Sequence, residues 1–140
     1  MSPNPDAIAA ALQAHTHRDD FVLPGPPKRI QAATLIPLRW APQLQVIATV
    51  RSAQLRHHPG EVCFPGGRPA GPDESLLQTA EREAEEELGI RGAQVLGRLS
   101  QVPVYTSSHR ITPWVAAIGN APLQPEPAEV AQVLPIDLEP

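Results

Sequence analysis

The chain has 140 residues, 41% hydrophobic and 19% charged, the make-up of one ordinary folded domain; wholesale disorder, a fibrous repeat and two separate globular domains fit poorly. Its formal charge of −4 is uneven: residues 73–87 hold seven of the fifteen acids and one base, a net of −6 against +2 for the rest, which argues against a broad nucleic-acid surface and permits local anion contacts. No apolar run approaches the roughly 20 residues of a membrane span, the first residues lack the basic and apolar stretches of a secretory signal, and Cys63 is the sole cysteine, so the expected location is the reducing cytoplasm.

Residues 6–15 read as a short helix with an acid at its start, and Pro24-Gly25-Pro26-Pro27 makes the remainder of 1–29 a proline-rich lead-in. Residues 31–38 and 44–51, rich in Leu, Ile, Val and Thr, predict two strands around a turn at Ala41-Pro42. Glycine and proline then dominate 59–72, a loop. From Glu74 the period turns helical, with Leu77, Ala80, Ala84 and Leu88 at spacings of three and four and Gly89 where a helix ends. Two strands follow over 93–104 and 110–118, and a last one over 130–134. The order predicts an α/β or α+β layout without internal repeats.

On a helical wheel over 76–88, Glu83, Glu86 and Glu87 share a face away from the apolar stripe, while Glu81 and Glu85 lie on a solvated side. Like charges 5–6 Å apart repel by about 3 kcal/mol at an effective dielectric near 20. These acids also sit at the helix end whose dipole favours cations. Local stability does not select such an arrangement. A hard divalent cation, which takes oxygen ligands, would cancel the repulsion.

Adjacent residues choose between a solvated face and a metal site. Phe64-Pro65-Gly66-Gly67, a short loop, and Arg82-Glu83-Ala84-Glu85-Glu86-Glu87-Leu88-Gly89-Ile90 together resemble the Nudix box, here spanning 64–90. Gly67 stands fifteen residues before Arg82, one more than in the general box, with Asp73 in the place of the intermediate acid. That longer loop, and the series Arg51-Ser52, Arg56, Gly60, Phe64-Pro65-Gly66-Gly67 with three residues in each gap, is similar to the bacterial coenzyme A pyrophosphatase subfamily. Ile111-Thr112-Pro113-Trp114-Val115 resembles its strand after the catalytic helix, whereas Ala70 stands where that subfamily often has an acid. The resemblance runs from about Val46 to Val115.

The resemblance implies a Nudix-type α/β/α sandwich over residues 1–140, with a mixed sheet and a central loop-helix. It implies hydrolysis of the diphosphate of coenzyme A to 3',5'-ADP and 4'-phosphopantetheine with Mg2+ or Mn2+. Glu83 and Glu87 would be the leading metal ligands, Glu86 a ligand or water-positioning group, and Arg82 the ion-pairing residue that orients them. Gly66 and Gly67 would let backbone approach metal and phosphate, and Arg51, Arg56 and His58 would contact phosphate. His57 reads as solvent-facing and Cys63 as a packed side chain, while Glu129, which could supply a further ligand or base from a late loop, reads rather as an ordinary surface acid. The alternatives are a Nudix pyrophosphatase for ADP-ribose or a dinucleotide, and a non-catalytic Nudix-fold binding module. The partner expected is a small molecule, not nucleic acid or a membrane. The usual C-terminal covering helix is missing or shortened in this sequence, so the N-terminal helix or a partner chain, as in a homodimer, is expected to cover the second sheet face, or else the sequence is a shortened form.

Overall fold

The computed structural model describes residues 2–20 and 22–139. Met1, Phe21 and Pro140, which fall in the expected lead-in and at the chain end, lie outside the described residues.

Helix α1 (Pro5–Ala14) starts where Asn4 caps it, its side-chain oxygen accepting from the Ala7 N–H at 2.8 Å, with proline in the first turn. The remaining elements are β1 (Ile30–Trp40), β2 (Leu44–Arg51), β3 (Val62–Cys63), β4 (Gly66–Gly67), α2 (Leu76–Leu88), β5 (Gln94–Arg98), β6 (Val102–Pro103), β7 (His109–Ala117) and β8 (Val130–Asp137). Helix α2 is fixed at both ends. Ser75 and Gln78 form a capping box, and Gly89 ends the helix at φ +70°, a conformation that suits glycine.

All eight strands among the described residues join one mixed sheet. The central β1 pairs in parallel with β7, and antiparallel with β4 and then β2 along its other edge. Pro37 survives inside this strand for a local reason. Leu35 donates its N–H to Pro65 at 2.9 Å, so the nitrogen two residues on faces the same edge, at the gap between the β4 and β2 ladders. No ladder donor is needed there.

The strand expected over 93–104 is two strands. The break at 99–101 belongs to the N-terminal segment: the Asp19 carboxylate accepts from the Gln101 N–H at 2.9 Å, and the Ser100 hydroxyl accepts from Arg18 N–H at 2.8 Å. The expected 59–72 loop contains the two-residue strands β3 and β4. The last strand runs past 134 to Asp137 through Pro135, tolerated because β8 pairs only with β2.

Two apolar clusters sit on opposite sides of the sheet. On one, Leu76, Ala80, Ala84 and Leu88 of α2 meet Ala33, Leu35, Ile47 and Ala116. The core stripe thus uses Leu76, and Leu77 stands at its margin. On the other side, Ile8, Ala9 and Leu12 of α1 pack on Leu38, Leu96 and Val115. The approach is close: a Cβ on Gly97, at φ +152°, would lie 2.8 Å from that of Leu12. The cover expected from a C-terminal helix is supplied by α1, and no helix follows α2 among the described residues. No helix among them is long and apolar enough to cross a membrane.

Candidate metal centre

Three carboxylates converge beside β4. Glu83, Glu87 and Glu129 each offer an oxygen, and these lie within 4.8 Å of one another. Glu83 and Glu87, four apart on α2, stack on one helix face. Glu87 is 5% exposed, and its Oε2 accepts from the Gly66 N–H at 3.0 Å. The two glycines bring backbone this close for separate reasons. A Cβ on Gly66 would collide with the Ala33 carbonyl and Thr34 of β1, whereas one on Gly67 would lie 2.5 Å from the Glu83 Oε1.

Glu129 comes from 46 positions beyond Glu83 in the chain, carried by a strap that docks on the end of α2. Gln124 and Glu126 donate their N–H groups to the carbonyls of Leu88 (2.8 Å) and Glu87 (2.9 Å), satisfying acceptors that the helix leaves open. The Ser52 N–H then binds the Glu129 carbonyl at 2.9 Å, and β8 begins at the next residue.

Burial away from water pushes the Glu87 carboxyl up to about 8, and the neighbouring Glu83 and Glu129 charges add to the rise against the pull of the Gly66 N–H. Burial also raises Glu83, although Arg82 opposes it. A half-dry cluster of acids with too few donors to hold their charge suits a hard divalent cation, which supplies the missing positive charge and accepts oxygen ligands. The donor set therefore fits a hard divalent metal ion.

Beside the cluster, Arg82 gathers four partners. Nε and Nη2 donate to the two oxygens of Glu74 at 2.9 and 3.1 Å, Nη1 to Glu83 at 3.1 Å and to both oxygens of Glu86 at 3.1 and 3.2 Å, and Nη2 also to the Arg68 carbonyl. Glu74 further accepts from the Thr79 hydroxyl and the Ala70 N–H, and these bonds, Arg82 foremost, hold its carboxyl at about 2. The acid that meets Arg82 is thus Glu74, not Asp73, which is exposed and one residue too early.

Glu86 stands outside the three-carboxylate group, more than half exposed and oriented by Arg82. Arg51 turns its guanidinium onto the His57 carbonyl, at 2.9 and 3.2 Å, and so folds the 52–60 loop upon itself. His58, at φ +53°, pairs with Glu61 at 3.0 Å on the surface. Arg56 and His57 are exposed in the same loop. Cys63 is half-buried against the Thr49 hydroxyl, as expected of a packed side chain. Glu129, which the sequence offers as a further ligand or base but favours as an ordinary surface acid, joins the carboxylate group, and the residue that sequence reasoning missed is Glu74. An acid directly before an apolar strand and after a proline-rich stretch is the available signal for Glu129, and the place directly before the Ser75 cap is that for Glu74.

The family model for the NUDIX domain matches residues 29–138. A protein of Photorhabdus laumondii named uncharacterized Nudix hydrolase NudL is 39% identical over 137 residues, covering 91% of this chain and 72% of that protein. Its namesake in Yersinia pestis is 41% identical over 112 residues, covering 77% of this chain, which spans only 55% of that longer relative. Among solved structures, the NUDIX domain of Shewanella oneidensis NrtR complexed with ADP ribose superposes with a TM-score of 0.65 at 21% identity, covering 92% of this chain and 82% of that one. A Caenorhabditis elegans Ap4A hydrolase binary complex gives 0.62 at 21% identity, covering 79% and 81%. At such identities the likeness is one of fold.

Proposed function

The chain belongs to the Nudix family, and on that premise we propose that it is a divalent-metal-dependent diphosphatase of coenzyme A, releasing 3',5'-ADP and 4'-phosphopantetheine. The observation that carries the hydrolase reading is the convergence of Glu83, Glu87 and Glu129 within 4.8 Å, in a setting that disfavours their charges unless a cation is bound. A bound Mg2+ or Mn2+ would polarise the diphosphate and lower the pKa of the attacking water. The chain's own residues do the rest. Glu83, Glu87 and Glu129 would hold the cation, and the Gly66 N–H fixes the orientation of Glu87. Arg82, itself clamped by Glu74, sets the rotamers of Glu83 and Glu86. Glu86, exposed to solvent, holds the water that attacks phosphorus. Gly66 and Gly67 keep the approach open.

The coenzyme A assignment is supported by the series Arg51-Ser52, Arg56, Gly60, Phe64-Pro65-Gly66-Gly67 and by the anchoring of that loop to Glu129 through Ser52. Arg51 shapes the loop, and Arg56, exposed on it, takes the 3'-phosphate that distinguishes coenzyme A. The test is incubation with coenzyme A and Mg2+ or Mn2+, with products separated by chromatography. Metal-dependent 3',5'-ADP is expected, and its absence overturns the assignment. The second reading, ADP-ribose or a dinucleotide as substrate, is favoured by the solved neighbours named above. It predicts turnover indifferent to removal of the 3'-phosphate from coenzyme A, where the first predicts a large loss.

A further inference from the structure

The strap that carries Glu129 is fastened to the end of α2 before Glu129 is reached. Gly89, at φ +70°, leaves the room that Gln124 fills, since a Cβ there would lie 2.9 Å from the Gln124 Cβ. Leu123 packs on the apolar cluster beneath α2. Pro125 and Pro127 then flank Glu126 and limit the backbone on both sides of it.

Glu126 makes four hydrogen bonds. Its N–H donates to the Glu87 carbonyl at 2.9 Å, while its own carbonyl accepts from the N–H groups of Glu129 and Val130 at 3.0 and 2.8 Å. Its side-chain Oε1 accepts from the Ala128 N–H at 3.3 Å. Residues 126–130 thus close a single turn, with Pro127 where a fixed φ favours it and an acid satisfying a donor that the turn leaves open. One residue joins the backbones of two members of the carboxylate group. Glu129 is held on its other side as well, its carbonyl accepting from the Ser52 N–H at 2.9 Å.

The Glu126 carboxylate stands outside the group formed by Glu83, Glu87 and Glu129, exposed and turned onto its own strap. Like charges crowd at that group, and a glutamate on a loose strap would swing away from them into water. A ligand whose backbone is fixed beforehand resists that, and a cation that meets it need not order the chain.

We propose that Glu126 is a positioning residue of the metal centre, setting the separation of Glu87 and Glu129 through the 126–130 turn. The proposal rests on the reading of Glu83, Glu87 and Glu129 as the metal ligands of a diphosphatase.

Calorimetric titration of the whole chain with Mn2+, well below its melting temperature, tests the role. Glu126→Ala, which removes the bond to Ala128, should weaken Mn2+ by about fivefold, and Pro127→Gly, which frees the turn, by about the same factor. Glu126→Gln discards the charge and keeps an oxygen for the Ala128 N–H, so it should bind Mn2+ within about twofold of the parent. Melting of the metal-free variants is measured beside it. A merely structural role would lower the melting temperature and leave the Mn2+ affinity of the folded protein unchanged, and that result overturns the proposal. Equal losses in Glu126→Gln and Glu126→Ala overturn it too, because they would make the charge the active property.

Coenzyme A hydrolysis by the unaltered chain is scored separately. Mn2+ binding and turnover in the parent, with indifferent variants, defeats the Glu126 role alone. The expected Mn2+ pattern without any turnover defeats the diphosphatase reading alone, and a parent that binds no Mn2+ defeats both.

Discussion

Glu74 and Arg82 meet edge to edge, the two carboxylate oxygens facing Nε and Nη2 at 2.9 and 3.1 Å, so that only Nη1 is left to reach Glu83 and Glu86. A guanidinium held in two places cannot rotate away from the third. Glu74→Gln should therefore lower turnover or metal affinity by roughly 10–100-fold, the usual cost of removing a group that orients ligands. KM should move little. Asp73→Asn, one residue away and exposed, should leave both unchanged. Steady-state kinetics with metal titration checks the pair, and equal effects of the two substitutions would displace Glu74 from this role.

The paired glycines should fail differently. Gly66→Ala drives a Cβ into the backbone of β1, which cannot yield, and should destabilise the fold by roughly 1–3 kcal/mol. Gly67→Ala meets the tip of the Glu83 side chain, which can swing aside. It should melt close to the parent and lose metal binding. Thermal melts and Mn2+ titration distinguish the two.

Removing one of the crowded charges should uncouple stability from function. In the metal-free protein at pH 8, Glu129→Gln relieves repulsion on Glu87 and should raise the melting temperature, while weakening metal binding and cutting turnover by at least about tenfold. Glu81→Gln, on the solvated side of α2, should change neither. Unaltered metal affinity in Glu129→Gln would remove it from the ligand set.

The same crowding sets a pH dependence. Folded Glu87 holds its proton up to about pH 8, whereas in the unfolded chain it releases it near 4.5, so the native state binds more protons between these values. Stability of the metal-free protein should therefore fall as pH rises from about 4.5 to 8. Glu74 and Asp19, both held at about 2, work in the opposite sense at the acid end: their contribution is present above the ordinary carboxylate range and is lost as pH falls toward 2. Melting curves with EDTA should show a maximum near pH 4.5–5. Saturating Mg2+ should flatten the alkaline fall, since it favours the ionised carboxylate, and a metal-free curve that rises from pH 5 to 8 would contradict the assignment.

Much of this site is local, and local features are what a sequence displays. The α2 stripe, its Gly89 stop and the shared face of Glu83 and Glu87 follow from helical spacing over thirteen residues. The closeness of Gly66 and Gly67 follows from their lack of a side chain. Glu129 could not be read in the same way. Its place depends on the β2–β8 ladder and on two hydrogen bonds to the end of a helix more than thirty residues earlier, contacts that leave no periodic mark. Asp73 and Glu74 are neighbouring acids, and only the start of the helix at Ser75 decides which one faces Arg82. The sequence leaves the cover of the second sheet face open between α1 and a partner chain, because a short helix with apolar residues does not announce which surface it will find. The break between β5 and β6 arises from partners some 80 residues away, Arg18 and Asp19.

The strap that ends in Glu129 gives the centre a place in time as well as in space. A chain made from its N-terminus completes α2, β4 and the first two carboxylates while residues 122–137 are still to come, and β2 waits for its partner β8. Contacts of such long separation form late. A nascent chain stopped before residue 122 would carry two crowded glutamates without Glu129, so the three-carboxylate group exists only on a finished sheet.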